Sequence, residues 1–157
     1  MSSEQSAPTP ELVDPRGPRF GAAITSVVLA LAIILGPGWG LPLLILQTVA
    51  FAAGALLGLS YQPYSWLYHR TLRPRLAPPT ELEDARPPRF AQAVGLVFAF
   101  AALAGVLVSL PTLFYLAAGL ALVAAALNAV FNYCLGCELY LLGKRLGTRP
   151  ATTAANG

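Results

Sequence analysis

Residues 20–68 read FGAAITSVVLALAIILGPGWGLPLLILQTVAFAAGALLGLSYQPYSWLY, and residues 90–137 read FAQAVGLVFAFAALAGVLVSLPTLFYLAAGLALVAAALNAVFNYCLGC. Neither stretch, 49 and 48 residues long, contains an Asp, Glu, Lys or Arg. One membrane helix needs about 20 apolar residues, so each stretch has room for two spans and a turn. The 157-residue chain is 56% hydrophobic and 11% charged, where a soluble domain carries about 25% charged residues. The expected fold class is therefore all-α integral membrane: a four-transmembrane-helix bundle with short turns inside each stretch.

The segments around the two stretches divide the chain. Residues 1–17 are polar, rich in proline and expected to be disordered. The leader Met1–Arg19 contains Glu4, Glu11 and Asp14 and four prolines, which does not match the basic start and small-residue cleavage site of a secretory leader. Residues 18–68 are expected to form a first transmembrane hairpin, with helices over about Pro18–Leu35 and Leu41–Tyr61. Gly36-Pro37-Gly38-Trp39-Gly40 is the turn between them. Residues 69–89 form a Pro-rich loop. Residues 90–146 form a second hairpin, with helices over about Phe90–Leu110 and Thr112–Tyr133, followed by a short amphipathic piece. Residues 147–157 form a second disordered tail.

The ten basic residues set the orientation. Arg16 and Arg19 precede the first hairpin. Arg70, Arg73, Arg75, Arg86 and Arg89 lie in or beside the central loop, and Lys144, Arg145 and Arg149 follow the second hairpin. Neither turn has any. Four crossings would put all three segments on one side, and the positive-inside rule makes that side cytoplasmic, both termini included. The same placement explains the pI near 9.1 as a topology signal, so no nucleic-acid partner is expected.

Asp14-Pro-Arg16-Gly-Pro18-Arg19-Phe20 recurs as Asp84-Ala-Arg86-Pro-Pro88-Arg89-Phe90. Each copy opens an apolar stretch. Tyr61 and Leu67-Tyr68 likewise align with Tyr133 and Leu139-Tyr140. This self-similarity predicts two tandem parallel helical-hairpin repeats related by an axis along the membrane normal. A small-xxx-small face, Gly54-x-x-x-Gly58, offers helix packing and a route to a homo-oligomer.

Chemistry is concentrated in Cys134-Leu135-Gly136-Cys137-Glu138, which holds both cysteines of the chain. CxxC spacing suits a disulfide, a mixed disulfide with a partner or half a metal site, and equally two thiols that merely pack. The thiols are activated only if they open a helix, because a helix C-terminus disfavours thiolate. Pro63 must break the helix before it, and Leu135 is its counterpart, so the chain is expected to leave helical geometry between Asn132 and Cys137. Glu138 could then accept a proton. Cys134, Cys137 and Glu138 are the candidate catalytic residues. Two thiolates and a distant His69 do not make a metal set, and no cofactor is expected. Asn128, Asn132, Gln47 and Gln92 read as amides that join helices by hydrogen bonds. No ionisable group lies in mid-span, which argues against a proton relay or ion pump.

Several motifs, taken together, resemble the bacterial membrane family known as domain of unknown function 4395. They are D-x-R-x-P-R-F, Tyr64-x-Trp66-Leu67, Arg73-Pro-Arg75-Leu76-x-Pro78-Pro79, Glu81 through Gly95, and Asn128 through Glu138. The resemblance spans about residues 13–143. It implies a multi-pass protein of the bacterial inner (plasma) membrane. Because members are often encoded beside thioredoxin-like proteins and sulfurtransferases, it also implies thiol or sulfur traffic with such a soluble partner. A weaker likeness, to quinone-linked thiol oxidoreductases, fails on the second cysteine pair, which this chain lacks. The reading is a membrane-bound thiol–disulfide or sulfur-transfer partner acting through a cytoplasm-facing CxxC. The alternative is a non-catalytic scaffold or small-molecule transporter subunit with structural cysteines.

Overall fold

A computed structural model of the chain describes residues 9–148. Most of the two tails expected to be disordered, residues 1–8 and 149–157, lies outside the described residues. Six α-helices are present among those described: α1 (Arg16–Trp39), α2 (Leu41–Ala52), α3 (Pro63–Thr71), α4 (Arg86–Leu107), α5 (Pro111–Phe131) and α6 (Leu135–Gly147). Two short strands, β1 (Leu12–Val13) and β2 (Glu83–Asp84), pair antiparallel with Leu12 opposite Asp84.

Prolines and glycines punctuate the helices. Within α1, Gly36 leaves helical geometry at φ 75° and Pro37 follows it. This kink lets the chain turn sharply into α2. Gly40 is needed for close approach, because a Cβ there would come within 2.6 Å of the Gly36 carbonyl oxygen. Gly40 leads directly into Leu41, and Pro42 occupies the first turn of α2. Between α4 and α5, Ser109 takes φ 54° and Pro111 opens α5, where its missing N–H costs nothing.

Leu29 of α1, Leu44 of α2, Ala102 of α4 and Phe114, Ala117, Ala118 and Ala121 of α5 form one buried cluster. Alanines at the crossings allow the backbones to approach closely, as in membrane helix packing. The outer faces are apolar too: Val27, Ile34, Val97, Phe100, Leu107, Leu116 and Val123 are all exposed. Such a surface suits lipid and not water. The protein is a multi-pass membrane protein.

The expected four-transmembrane-helix bundle of two tandem hairpin repeats does not hold. Three helices among the described residues are long and apolar enough to span: Arg16–Trp39, Arg86–Leu107 and Pro111–Phe131. The other apolar helix, Leu41–Leu57, is shorter. It loses α geometry at Ala53, passes through a π turn over Ala53–Leu57, and ends at Gly58 with φ 114°. The halves are consequently unequal. A kinked 24-residue helix and a 12-residue helix stand in the first, and helices of 22 and 21 residues in the second. The π turn lies where Gly54 approaches Gln92 of α4, a neighbour that the composition of the segment does not reveal. The recurrence of D-x-R-x-P-R-F is thus a local likeness and not an internal repeat of the architecture.

The described basic residues nevertheless collect at one end. The β1–β2 pairing joins the segment before α1 to the one before α4. Arg19, at the start of α1, donates to the carbonyls of Ala129 (3.0 Å) and Val130 (3.4 Å) near the end of α5. Arg89, at the start of α4, donates to Ala55 and Leu56, both at 2.9 Å. Cations belong at helix C-termini, where the last carbonyls lack partners.

Candidate functional site

The break after α5 positions the cysteines. Asn132 takes the left-handed conformation (φ 55°, ψ 30°), which asparagine tolerates better than most residues. The Tyr133 N–H donates back to the Leu127 carbonyl at 3.3 Å, which satisfies one of the last carbonyls and closes the helix end. Cys134 is extended and caps α6, its Sγ accepting the Cys137 N–H at 3.3 Å. The expected departure from helix between Asn132 and Cys137 is present, and the pair opens a helix. Cys134 and Cys137 are joined by a disulfide, and both are half-buried. Glu138, in the first turn, is exposed.

Two contacts seat this turn on α4. A Cβ on Gly136 would lie 2.6 Å from both Cα and Cβ of Ala91, so only glycine allows this approach. Phe90 and Tyr140 stack with centroids 5.7 Å apart. Beside the turn is a cavity of about 660 Å³, whose lining includes Gln92, Asn128, Asn132, Cys134, Cys137 and Glu138. His69 is not brought to the cysteines; Arg73 donates to its Nδ1 at 3.0 Å on α3.

The family model described as Domain of unknown function (DUF4395) matches residues 13–145. The chain is a DUF4395 protein. No curated protein and no solved structure matches it.

The polar interior of the DUF4395 chain is larger than the sequence suggested. Gln47, fully buried, donates to Thr25 Oγ1 at 3.2 Å and accepts from the Tyr64 hydroxyl at 2.8 Å. Gln62 donates to Gln92 at 3.0 Å. The glutamines do join helices, but Thr25, Gln62 and Tyr64 carried no separate signal. Their pairing is long-range, and nothing in their local sequence marks it.

The two motif aspartates differ in surroundings. Asp14, 8% exposed, accepts from the Arg16 N–H and Nε and from the Tyr68 hydroxyl at 3.0 Å. Burial pushes its carboxyl up. The Arg16 and Tyr68 hydrogen bonds outweigh burial and hold it below the ordinary 3.8. Among the described residues the Asp84 carboxylate accepts hydrogen bonds from Arg86 alone; these bonds, from the Arg86 side chain and backbone, lower the Asp84 carboxyl. Gly54 packs inside the chain against Gln92. A methyl on Gly58 would meet nothing within 4 Å, so what this position requires of glycine is its positive φ. Gly58 lies beyond the helical geometry, and the two glycines do not make a continuous small-residue face for a second copy.

Proposed function

We propose that this DUF4395 protein is a membrane-held thiol–disulfide exchange partner of a soluble thioredoxin-like protein. The observation that carries the reading is Cys134 as the cap of α6, its sulfur accepting the Cys137 N–H. A thiolate at that position is favoured by the helix dipole and by the unpaired N–H groups of the first turn. In the reduced form Cys134 is the nucleophile. Its thiolate attacks the partner's disulfide, one partner sulfur leaves as thiolate, and a mixed disulfide forms. The Cys137 thiol gives its proton to Glu138 and displaces the second partner sulfur. The CxxC is then oxidised and the partner reduced, and the reverse sequence runs by the same steps.

Capture of the intermediate tests this. Cys137→Ser should accumulate a mixed disulfide that dissolves on reduction, and Cys134→Ser should accumulate much less. Mass-tagged maleimide should label both thiols of the native chain only after mild reduction. If neither variant captures a thiol protein and both thiols resist labelling after reduction in detergent, the cysteines only pack.

The reading places the charged end of the molecule in the cytoplasm, where soluble thiol partners are found. The basic residues support that side. The Arg19 hydrogen bond to Ala129 supports a common side for the start of α1 and the end of α5. The β1–β2 pairing supports a chain that returns through the shorter Leu41–Leu57 segment to the end where α1 starts, so reporters fused at Ser2 and at Gly157 should both behave as cytoplasmic. A reporter active outside the cytoplasm at either end would overturn the orientation.

A further inference from the structure

The cavity beside α6 has a chemical character of its own. It lies among α1, α2, α4, α5 and α6, and most of its wall is apolar, with Phe51, Phe98 and Leu120 and small residues such as Ala125. At about 660 Å³ it falls in the range of small-molecule sites, about 300–1,000 Å³. Thr25, Gln92 and Asn128 supply its polar groups among the spans. Gln92 commits its carbonyl to Gln62, which leaves its NH₂ to donate. The Thr25 oxygen accepts from Gln47, which leaves its hydroxyl proton to donate. The Asn128 amide has no side-chain hydrogen bond among the described residues, while no fully buried side-chain polar atom lacks a partner. Its amide therefore faces open space. The charged residues of the lining are Glu83, Asp84 and Glu138, all acidic, with no Lys or Arg among them.

We propose that this cavity binds a neutral, membrane-soluble molecule with an apolar body and a carbonyl-bearing head. The donors left on Gln92, Thr25 and Asn128 call for acceptor oxygens. Asp84 is paired with Arg86, but Glu83 and Glu138 have no ion-pair partner among the described residues and disfavour a carboxylate or phosphate head, so fatty acids and anionic phospholipids should bind poorly. The head can be a ring carbonyl, as in a quinone, or an ester carbonyl, as in a diacylglycerol. The site borders the CxxC, but its hydrogen-bond donors, Gln92, Thr25 and Asn128, are not the cysteines.

Native mass spectrometry of the full chain in neutral detergent tests it with three probes: duroquinone, whose full substitution prevents addition of thiols, dioctanoylglycerol and octanoate. One equivalent of a neutral carbonyl probe should be retained, and octanoate should not. Preference between the two neutral probes identifies the source. Asn128→Leu should weaken binding about tenfold through the lost hydrogen bond. Ala125→Phe, which fills the cavity from its wall, should abolish binding. Probe retention involves no thiol step, so failure of Cys137→Ser to capture a mixed disulfide would leave this result standing, which separates this proposal from the fate of the thiol reading. Failure of both neutral probes, equal retention of octanoate, or undiminished binding by both Asn128→Leu and Ala125→Phe would overturn it.

Discussion

Gly136→Ala is expected to destabilise the protein and loosen the CxxC turn, while Gly143→Ala, seven residues along the same helix, is expected to do the opposite. Alanine has the higher helix propensity, by about 1 kcal/mol, so propensity alone favours both changes. Packing separates them. A methyl at residue 136 would lie 2.6 Å from Ala91 Cα and Cβ, backbone-linked atoms that cannot swing aside, whereas a methyl at residue 143 meets nothing within 4 Å. Overpacking of this kind costs about 1–3 kcal/mol, more than the propensity gain. The first turn of α6 should lift from α4, and after reduction Cys134 and Cys137 should alkylate faster than in the native chain. Thermal unfolding in detergent and maleimide labelling rates measure the two effects. Equal melting temperatures for the two variants would mean that α6 is not seated on Ala91.

The second large effect concerns the motif aspartates, which have the same sequence context and different surroundings. Asp14→Ala removes the acceptor of three hydrogen bonds and leaves the buried Tyr68 hydroxyl without its partner. Stranding a buried polar group costs about 1–3 kcal/mol. Asp84→Ala removes a carboxylate whose ion pair with Arg86 is partly open to solvent, and its effect should be clearly smaller. The sign of the pH dependence follows from the lowered Asp14 carboxyl. Its contribution is complete above the ordinary value of 3.8 and is lost as pH falls through the lower folded value. The melting-temperature gap between native protein and Asp14→Ala should thus be full at about pH 6 and close in stronger acid. A gap that widened in acid, or equal losses for both alanine variants, would contradict the role assigned to Asp14.

Much of the site's local geometry was legible in the chain. The alignment of Leu135 with Pro63 indicated where helix would fail, and α5 does end before Asn132, with Cys134 capping α6. What the motif needed glycine for was not legible. The reason is Ala91, 45 positions away in sequence and adjacent only after α6 folds onto α4. The cavity was equally hidden, since Thr25, Gln92 and Asn128 come from three separate helices.

By itself, the sequence determined that this chain enters a membrane and where its charges must stay. Hydropathy sums along the chain: 49 and 48 residues without a charge exclude a water-facing helix whatever the packing. The tertiary structure alone decided how many of the apolar segments run long enough to span. The segment from Leu41 yields to a π turn at Ala53, where Gly54 lies against Gln92. It also decided that two nearly identical motifs would not head identical halves. Arg19 and Arg89 find their carbonyls on helices remote in sequence, and Tyr68 reaches Asp14 but not Asp84. Partition into lipid is a property of each segment taken alone. Termination, capping and cavity formation are properties of neighbours, and neighbours are chosen only when the helices pack.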